Sequence, residues 1–210
     1  MNASTQRLSL KGAAGLIEAV LDQPDGTPRG VAVIAHPHPL FGGTMDNKVV
    51  QTLARAFVQC GWQTVRFNFR GVGATEGVYD EGRGELQDLL AVVQHTAAQG
   101  PLALAGFSFG AFVTSHAVQA LWAQRAIEKI VLVGTAASRF AVADVPPEAH
   151  AHTLALHGEQ DDTVPLAAVL DWARPQTLPV TVIPGGGHFF HGQLPLLKSL
   201  VVRHLQSPLV

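Results

Sequence analysis

One stretch limits the folds open to this chain. Residues 102–110 read Leu-Ala-Leu-Ala-Gly-Phe-Ser-Phe-Gly: an apolar run enters Gly106-Phe107-Ser108-Phe109-Gly110, and a helical pattern starts straight after it. That is strand, sharp turn and helix, with a serine at the turn. G-x-S-x-G in this setting reads as a nucleophile elbow. The serine of such a turn must take a strained, positive-φ conformation for its hydroxyl to stand clear of the backbone. The flanking glycines carry no Cβ, so strand and helix can pack closely across the turn. In a chain with 21 glycines the bare pattern also arises by chance, as an inert turn, so its surroundings must carry the reading.

The surroundings alternate strand and helix. Residues 8–21 read as one or two antiparallel edge strands, and 31–35 (Val-Ala-Val-Ile-Ala) as a central parallel strand. A Pro- and Gly-rich loop follows over 36–45. A helix then runs from about 47 to 60, with Asp46 or Asn47 as its cap. Cys60 falls in that helix's apolar pattern as a core residue. Strands are expected at 62–69, 102–106, 130–133, 153–157 and 180–183, with helices at 86–98, 111–124, 165–174 and 194–205. Pro165 suits a first helical position. A glycine-rich loop spans 70–84, a further loop spans 158–164, and 135–152 is a connection.

This order implies right-handed crossovers and a mostly parallel sheet with helices on both faces. A single domain over 1–210 is expected, with no insertion long enough for a cap. The 47% hydrophobic and 14% charged content suits a sheet buried on both faces. Net charge is −2 with no basic block, so neither nucleic acid nor an anionic membrane is an expected partner. The apolar stretch from Pro101 to Gln124 is long enough to span a bilayer, but the turn at its middle makes it a buried strand plus a buried helix. No secretory signal is read at the N-terminus, and a single cysteine cannot form an internal disulfide, so a cytoplasmic location is expected. Oligomeric state is not legible.

In such sheets the site forms at the carboxyl ends of the strands. Ser108, then Asp161 and Asp162, then His188 fall in the loops there. A serine hydroxyl needs a base near neutral pH, and His188 is the candidate. An aspartate would fix the His188 tautomer and stabilise its cation. Asp161 and Asp162 compete for this place. Asp161, early in Gly158-x-x-Asp161-x-x-Val164, is favoured, because Asp162 stands nearer the helix as a solvated charge. His191 reads as a rim residue, and His95, His116 and His204 as structural. An oxyanion hole needs two backbone N–H donors. Phe109 would give one. His38 or Leu40 would give the other, since Pro37 and Pro39 have no N–H, and His38 is the choice. Leu40, Phe41, Phe107, Phe109, Phe140 and Phe189 are candidates to line a shallow substrate site; core packing competes for each and is favoured for Phe107.

Taken together, His36-Pro37-His38-Pro39, Gly42-Gly43-Thr44, Arg66-Phe67-Asn68-Phe69-Arg70-Gly71-Val72-Gly73, Gly106-Phe107-Ser108-Phe109-Gly110 and the Asp161 and His188 loops resemble the small, lidless bacterial α/β-hydrolases of the dienelactone-hydrolase-like group. The resemblance covers roughly residues 10–205. It implies the α/β-hydrolase fold, no cofactor, and a serine esterase or related acyl hydrolase acting on a small-molecule ester. Thr75 stands where relatives carry serine. Ser108 replaces the cysteine of true dienelactone hydrolases and argues against that activity.

Three other readings compete. Gly71-Val72-Gly73-Ala74-Thr75-Glu76-Gly77 is similar to a dinucleotide fingerprint, but its third glycine is one place late and no helix follows. Among 10 histidines, His36-x-His38 and His150-x-His152 have ligand spacing without a third and fourth ligand, so no metal is expected. A non-catalytic module on a hydrolase fold is countered by the complete Ser, Asp and His set.

Overall fold

In the computed structural model, which describes residues 5–208, eight strands form one sheet in the order β1-β2-β4-β3-β5-β6-β7-β8. β1 (Thr5–Gly12) and β2 (Gly15–Asp22) form an antiparallel hairpin at one edge. β2 pairs antiparallel with β4 (Gln63–Phe67). From there the sheet is parallel through β3 (Val31–Ala35), β5 (Leu102–Phe107), β6 (Ile127–Val133), β7 (Thr153–Gly158) and β8 (Val180–Ile183).

The central strands are continuously apolar because both faces are covered. Along β5, Leu102 and Leu104 enter one core and Ala103, Ala105 and Phe107 the other. α2 (Arg83–Thr96) and α3 (Phe109–Leu121) cover the first face. α1 (Lys48–Gln59) and α5 (Leu194–Gln206) cover the second. α4 (Leu166–Ala173) packs near the β8 edge. This is the α/β-hydrolase architecture, and among the described residues no cap covers the carboxyl ends of the strands. No helix among the described residues is long and apolar enough to cross a membrane.

Several boundaries differ from the sequence reading, each for a physical reason. β6 starts at Ile127 and not at 130, because Lys129 is a buried strand residue. Its Nζ donates to the carbonyls of His204 and Ser207 at 2.9 and 2.8 Å and so holds the end of α5. α3 begins directly after Ser108 and ends at Leu121, where an expected further turn gives way to a loop. α2 begins at Arg83, capped by Glu85, whose carboxylate accepts the N–H groups of Asp80 and Gly82. Asn47, not Asp46, caps α1, its side chain accepting from Val49 N–H at 2.9 Å. Pro165 is the residue before α4 and not its first. Cys60 lies at the α1 C-cap, only partly buried. The 135–152 connection holds a 3-10 turn, Pro147–His152.

The Arg66–Gly71 segment ties the loops around the site together. Arg66 donates to Met45 O and pairs with Asp22 and Asp46. Asn68 accepts Met45 N–H and donates to Glu18. Arg70 makes a buried two-pronged pair with Asp88 at 3.0 and 2.8 Å. Thr75 Oγ1 donates to Asn68 O and accepts Glu18 N–H, so its hydroxyl serves the loop itself.

Candidate active site

Ser108 sits at the junction of β5 and α3 with φ 57° and ψ −117°. Two glycines permit this turn. A Cβ on Gly106 would stand 2.3 Å from Gly110 O, and one on Gly110 would stand 2.4 and 2.5 Å from the carbonyls of Ala35 and His36. Only hydrogen fits at either place. Ser108 N–H donates to Val133 O at 2.8 Å, which ties the turn to the end of β6.

The loops after β7 and β8 are packed against each other. A Cβ on Gly158 would meet Gly186 O at 2.3 Å, and Gln160 N–H donates to Gly186 O at 2.8 Å. This contact brings Asp161 to His188. Asp161 Oδ2 lies 2.7 Å from His188 Nδ1, and His188 Nε2 lies 3.0 Å from Ser108 Oγ. All three side chains are buried. Burial alone would raise the Asp161 pKa, but hydrogen bonds from His188 and Val164 N–H outweigh it and hold the carboxyl below its ordinary value. Its other oxygen accepts the N–H groups of Thr163 and Val164 at 3.0 and 2.7 Å. An ionised Asp161 therefore orients His188 Nδ1–H and leaves Nε2 free to accept from the serine. Asp162 is exposed and accepts a hydrogen bond from the Thr163 hydroxyl at 3.3 Å.

His157, at the end of β7, was not singled out in the sequence. Its ring is fully buried, with Nε2 2.9 Å from Val164 O and 3.4 Å from the Asp161 oxygen that holds His188. Only a protonated Nε2 can donate there, and Nδ1 has no hydrogen-bond partner among the described residues. Burial lowers the His157 pKa, so the neutral ring stands beside Asp161 while donating to Val164 O. The one signal in the sequence was a polar residue closing an apolar strand.

The segment after β3 carries the other donors. His36 is buried and neutral: burial lowers its pKa to about 4. Its Nε2 accepts Phe69 N–H at 3.0 Å while Nδ1 faces Pro37 O at 2.6 Å. His38 Nδ1 accepts Leu40 N–H at 3.2 Å, so that N–H is engaged. Among the described residues, the backbone N–H groups of His38 and Phe109 have no protein acceptor.

A cleft of about 270 Å³ opens over Ser108. Its lining includes His38, Phe41, Phe109, Arg139, Phe140, His188 and Phe189. Leu40 is a correction: it is 66% exposed and lies outside the lining. The 3-10 turn Pro39–Phe41 turns its N–H toward His38 and its side chain to solvent. Phe107 is core, in ring contact with His188.

Among the described residues, no group of three or more His, Cys, Asp or Glu is arranged to hold a metal. His150 and His152 bond the carbonyls of Val145 and Glu128. His95, His116 and His204 likewise bond backbone carbonyls.

Comparison with known proteins gives concordant results. The serine aminopeptidase S33 family model matches residues 26–155. A crystal structure of a lidless α/β serine hydrolase from Xanthomonas campestris is 33% identical, with a TM-score of 0.87, and the match covers 98% of this chain and 95% of that one. An α/β serine hydrolase homologue from Coxiella burnetii is 39% identical, with a TM-score of 0.80 and coverage of 95% and 97%. An uncharacterized protein of Rickettsia prowazekii is 35% identical over 116 residues, 53% of this chain and 49% of that protein. The chain thus spans about half the length of the curated relative it matches. With its lidless sheet and its elbow serine, the chain belongs to the S33 family of α/β serine hydrolases.

Proposed function

We propose that the protein is a serine acyl hydrolase, a carboxylesterase acting on small or short-acyl esters through an acyl-enzyme. The observation that carries this is the chain of contacts Asp161–His188–Ser108, at 2.7 and 3.0 Å, under an open cleft. Ser108 Oγ attacks the ester carbonyl while His188 Nε2 takes its proton. Asp161 holds the imidazolium that forms. The N–H groups of Phe109 and His38 receive the developing oxyanion. His188 then protonates the leaving alcohol. Water repeats the sequence on the acyl-enzyme and frees the acid.

The short-acyl preference follows from size. A cleft of about 270 Å³ with no lid buries few methylenes, each worth about 0.8 kcal/mol. Phe41, Phe140 and Phe189 supply its apolar walls. A single cysteine suits a reducing, cytoplasmic setting for the reaction.

The test is a panel of ester, thioester and amide substrates of rising acyl length, run beside Ser108→Ala. Acetate and butyrate esters are expected to turn over fastest, and the variant to lose several orders of magnitude in kcat. Faster hydrolysis of long-chain esters would overturn the substrate class. Activity surviving in Ser108→Ala would overturn the mechanism.

A further inference from the structure

We propose that the cleft selects esters carrying a carboxylate, and that Arg139 is the residue that reads it. This rests on the esterase reading above and names its substrate class. Arg139 lines the cleft that opens over Ser108. None of the residues lining it is Asp or Glu. Six arginines pair with a carboxylate; among the described residues Arg55, Arg125, Arg139 and Arg203 have none within ion-pair distance, and of these four Arg139 is the one that lines the cleft. A cation is thus presented to the cleft with no carboxylate paired to it among the described residues.

The geometry around Arg139 is fixed. Its backbone N–H and that of Phe140 both donate to Ala136 O, at 3.2 and 3.1 Å. Phe140 is stacked on Phe112 at 4.7 Å and meets Phe109 edge-on at 5.2 Å. The turn that carries Arg139 is therefore anchored to the core, and only the long side chain is free to adjust.

A second donor faces the same space. His38 Nδ1 accepts Leu40 N–H, which leaves the ring proton on Nε2. That Nε2 has no acceptor among the described residues, and His38 lines the cleft. Burial and the nearby Arg139 charge both favour the neutral ring. The site thus offers one full positive charge and one neutral N–H donor beside aromatic walls. That set matches a singly charged carboxylate on an apolar body better than a phosphate, which draws several cations. No carboxylate lines the cleft to pair with a cationic substrate.

The experiment compares two matched substrates, mono-4-nitrophenyl glutarate and its neutral methyl ester, with the spontaneous rate subtracted. The readout is the ratio of their kcat/KM values, which cancels any general loss of activity. In the wild type this ratio is expected to exceed that of Arg139→Gln by about two- to fivefold, the scale of one exposed charge pair. Arg139→Lys keeps most of the ratio, Arg139→Glu reverses the preference, and added salt at about 0.5 M shrinks it. An equal ratio in wild type, Arg139→Gln and Arg139→Glu overturns the proposal while leaving the esterase reading intact. If the wild type cleaves neither ester and no other, the esterase reading fails and this inference falls with it.

Discussion

Replacing Asp161 by Asn tests the site's electrostatics with almost no change in shape. Asp161 Oδ1 accepts two backbone N–H groups, at 3.0 and 2.7 Å, and this fixes which way an amide must lie. Its oxygen takes that side, so its NH2 faces His188 Nδ1, 2.7 Å from the present carboxylate oxygen. Nδ1 must then accept, and the proton moves to Nε2, where it points at Ser108. His188 can no longer act as base. The His157 Nε2–H keeps its acceptor, Val164 O at 2.9 Å, so the N–H groups of Thr163 and Val164 set how the amide lies. A tautomer reversal of this kind costs about 10⁴-fold in kcat, or roughly 5.4 kcal/mol of barrier at ~1.36 kcal/mol per decade. The assay is steady-state hydrolysis of 4-nitrophenyl acetate, with a melting curve to show that the variant is folded. Asp162→Asn, on an exposed carboxylate, is expected to stay within about twofold. A folded Asp161→Asn enzyme within tenfold of wild type, or a larger loss in Asp162→Asn, refutes the reasoning.

Acid should destabilise the fold through its buried neutral histidines. His36 and His204 both have pKa values lowered from 6.5 to about 4 by burial, His204 also by Lys129. The unfolded chain binds these protons first. The stability they contribute is present above pH 6.5 and is lost as pH falls toward about 4, with a ceiling of about 3 kcal/mol for each. Urea midpoints between about pH 7 and pH 5 should fall for wild type and fall less steeply for His36→Gln; parallel slopes would contradict this. Gly110→Ala should cost at least about 2 kcal/mol, since its Cβ would press on two backbone carbonyls that cannot swing away. A melting temperature equal to wild type would show that the elbow relaxes. Arg70→Met leaves Asp88 buried without its partner and should cost about 3–5 kcal/mol in a denaturation curve. Asp88→Asn in the same background should recover part of that, and no recovery would place the loss elsewhere.

What the sequence made legible was whatever depends on local chemistry. The elbow was readable because G-x-S-x-G between an apolar strand and a helix has few structural solutions. The nearness of Asp161 to His188 was legible because Asp161 stands early in the loop after β7, one residue farther from α4 than the exposed Asp162. β6 was read short because Lys129 looks like a loop residue, and its partners, the His204 and Ser207 carbonyls, lie more than 70 residues away in the chain. Leu40 was read as a cleft residue because its neighbours are, but a single 3-10 turn sends it to solvent. His157, the Arg66–Asn68–Arg70 ties and the unpaired state of Arg139 were hidden for a common reason. Each depends on which distant groups the fold brings near, and no local pattern records that.

The central claim is that Ser108 is the nucleophile, and covalent labelling tests it most directly. The protein is treated with a fluorophosphonate, digested, and the adduct located by mass spectrometry while residual ester hydrolysis is followed. The account predicts a single adduct on Ser108, formed in step with the loss of activity, and none in Ser108→Ala. Activity lost while Ser108 stays unmodified, or hydrolysis that persists once Ser108 is fully labelled, would contradict it.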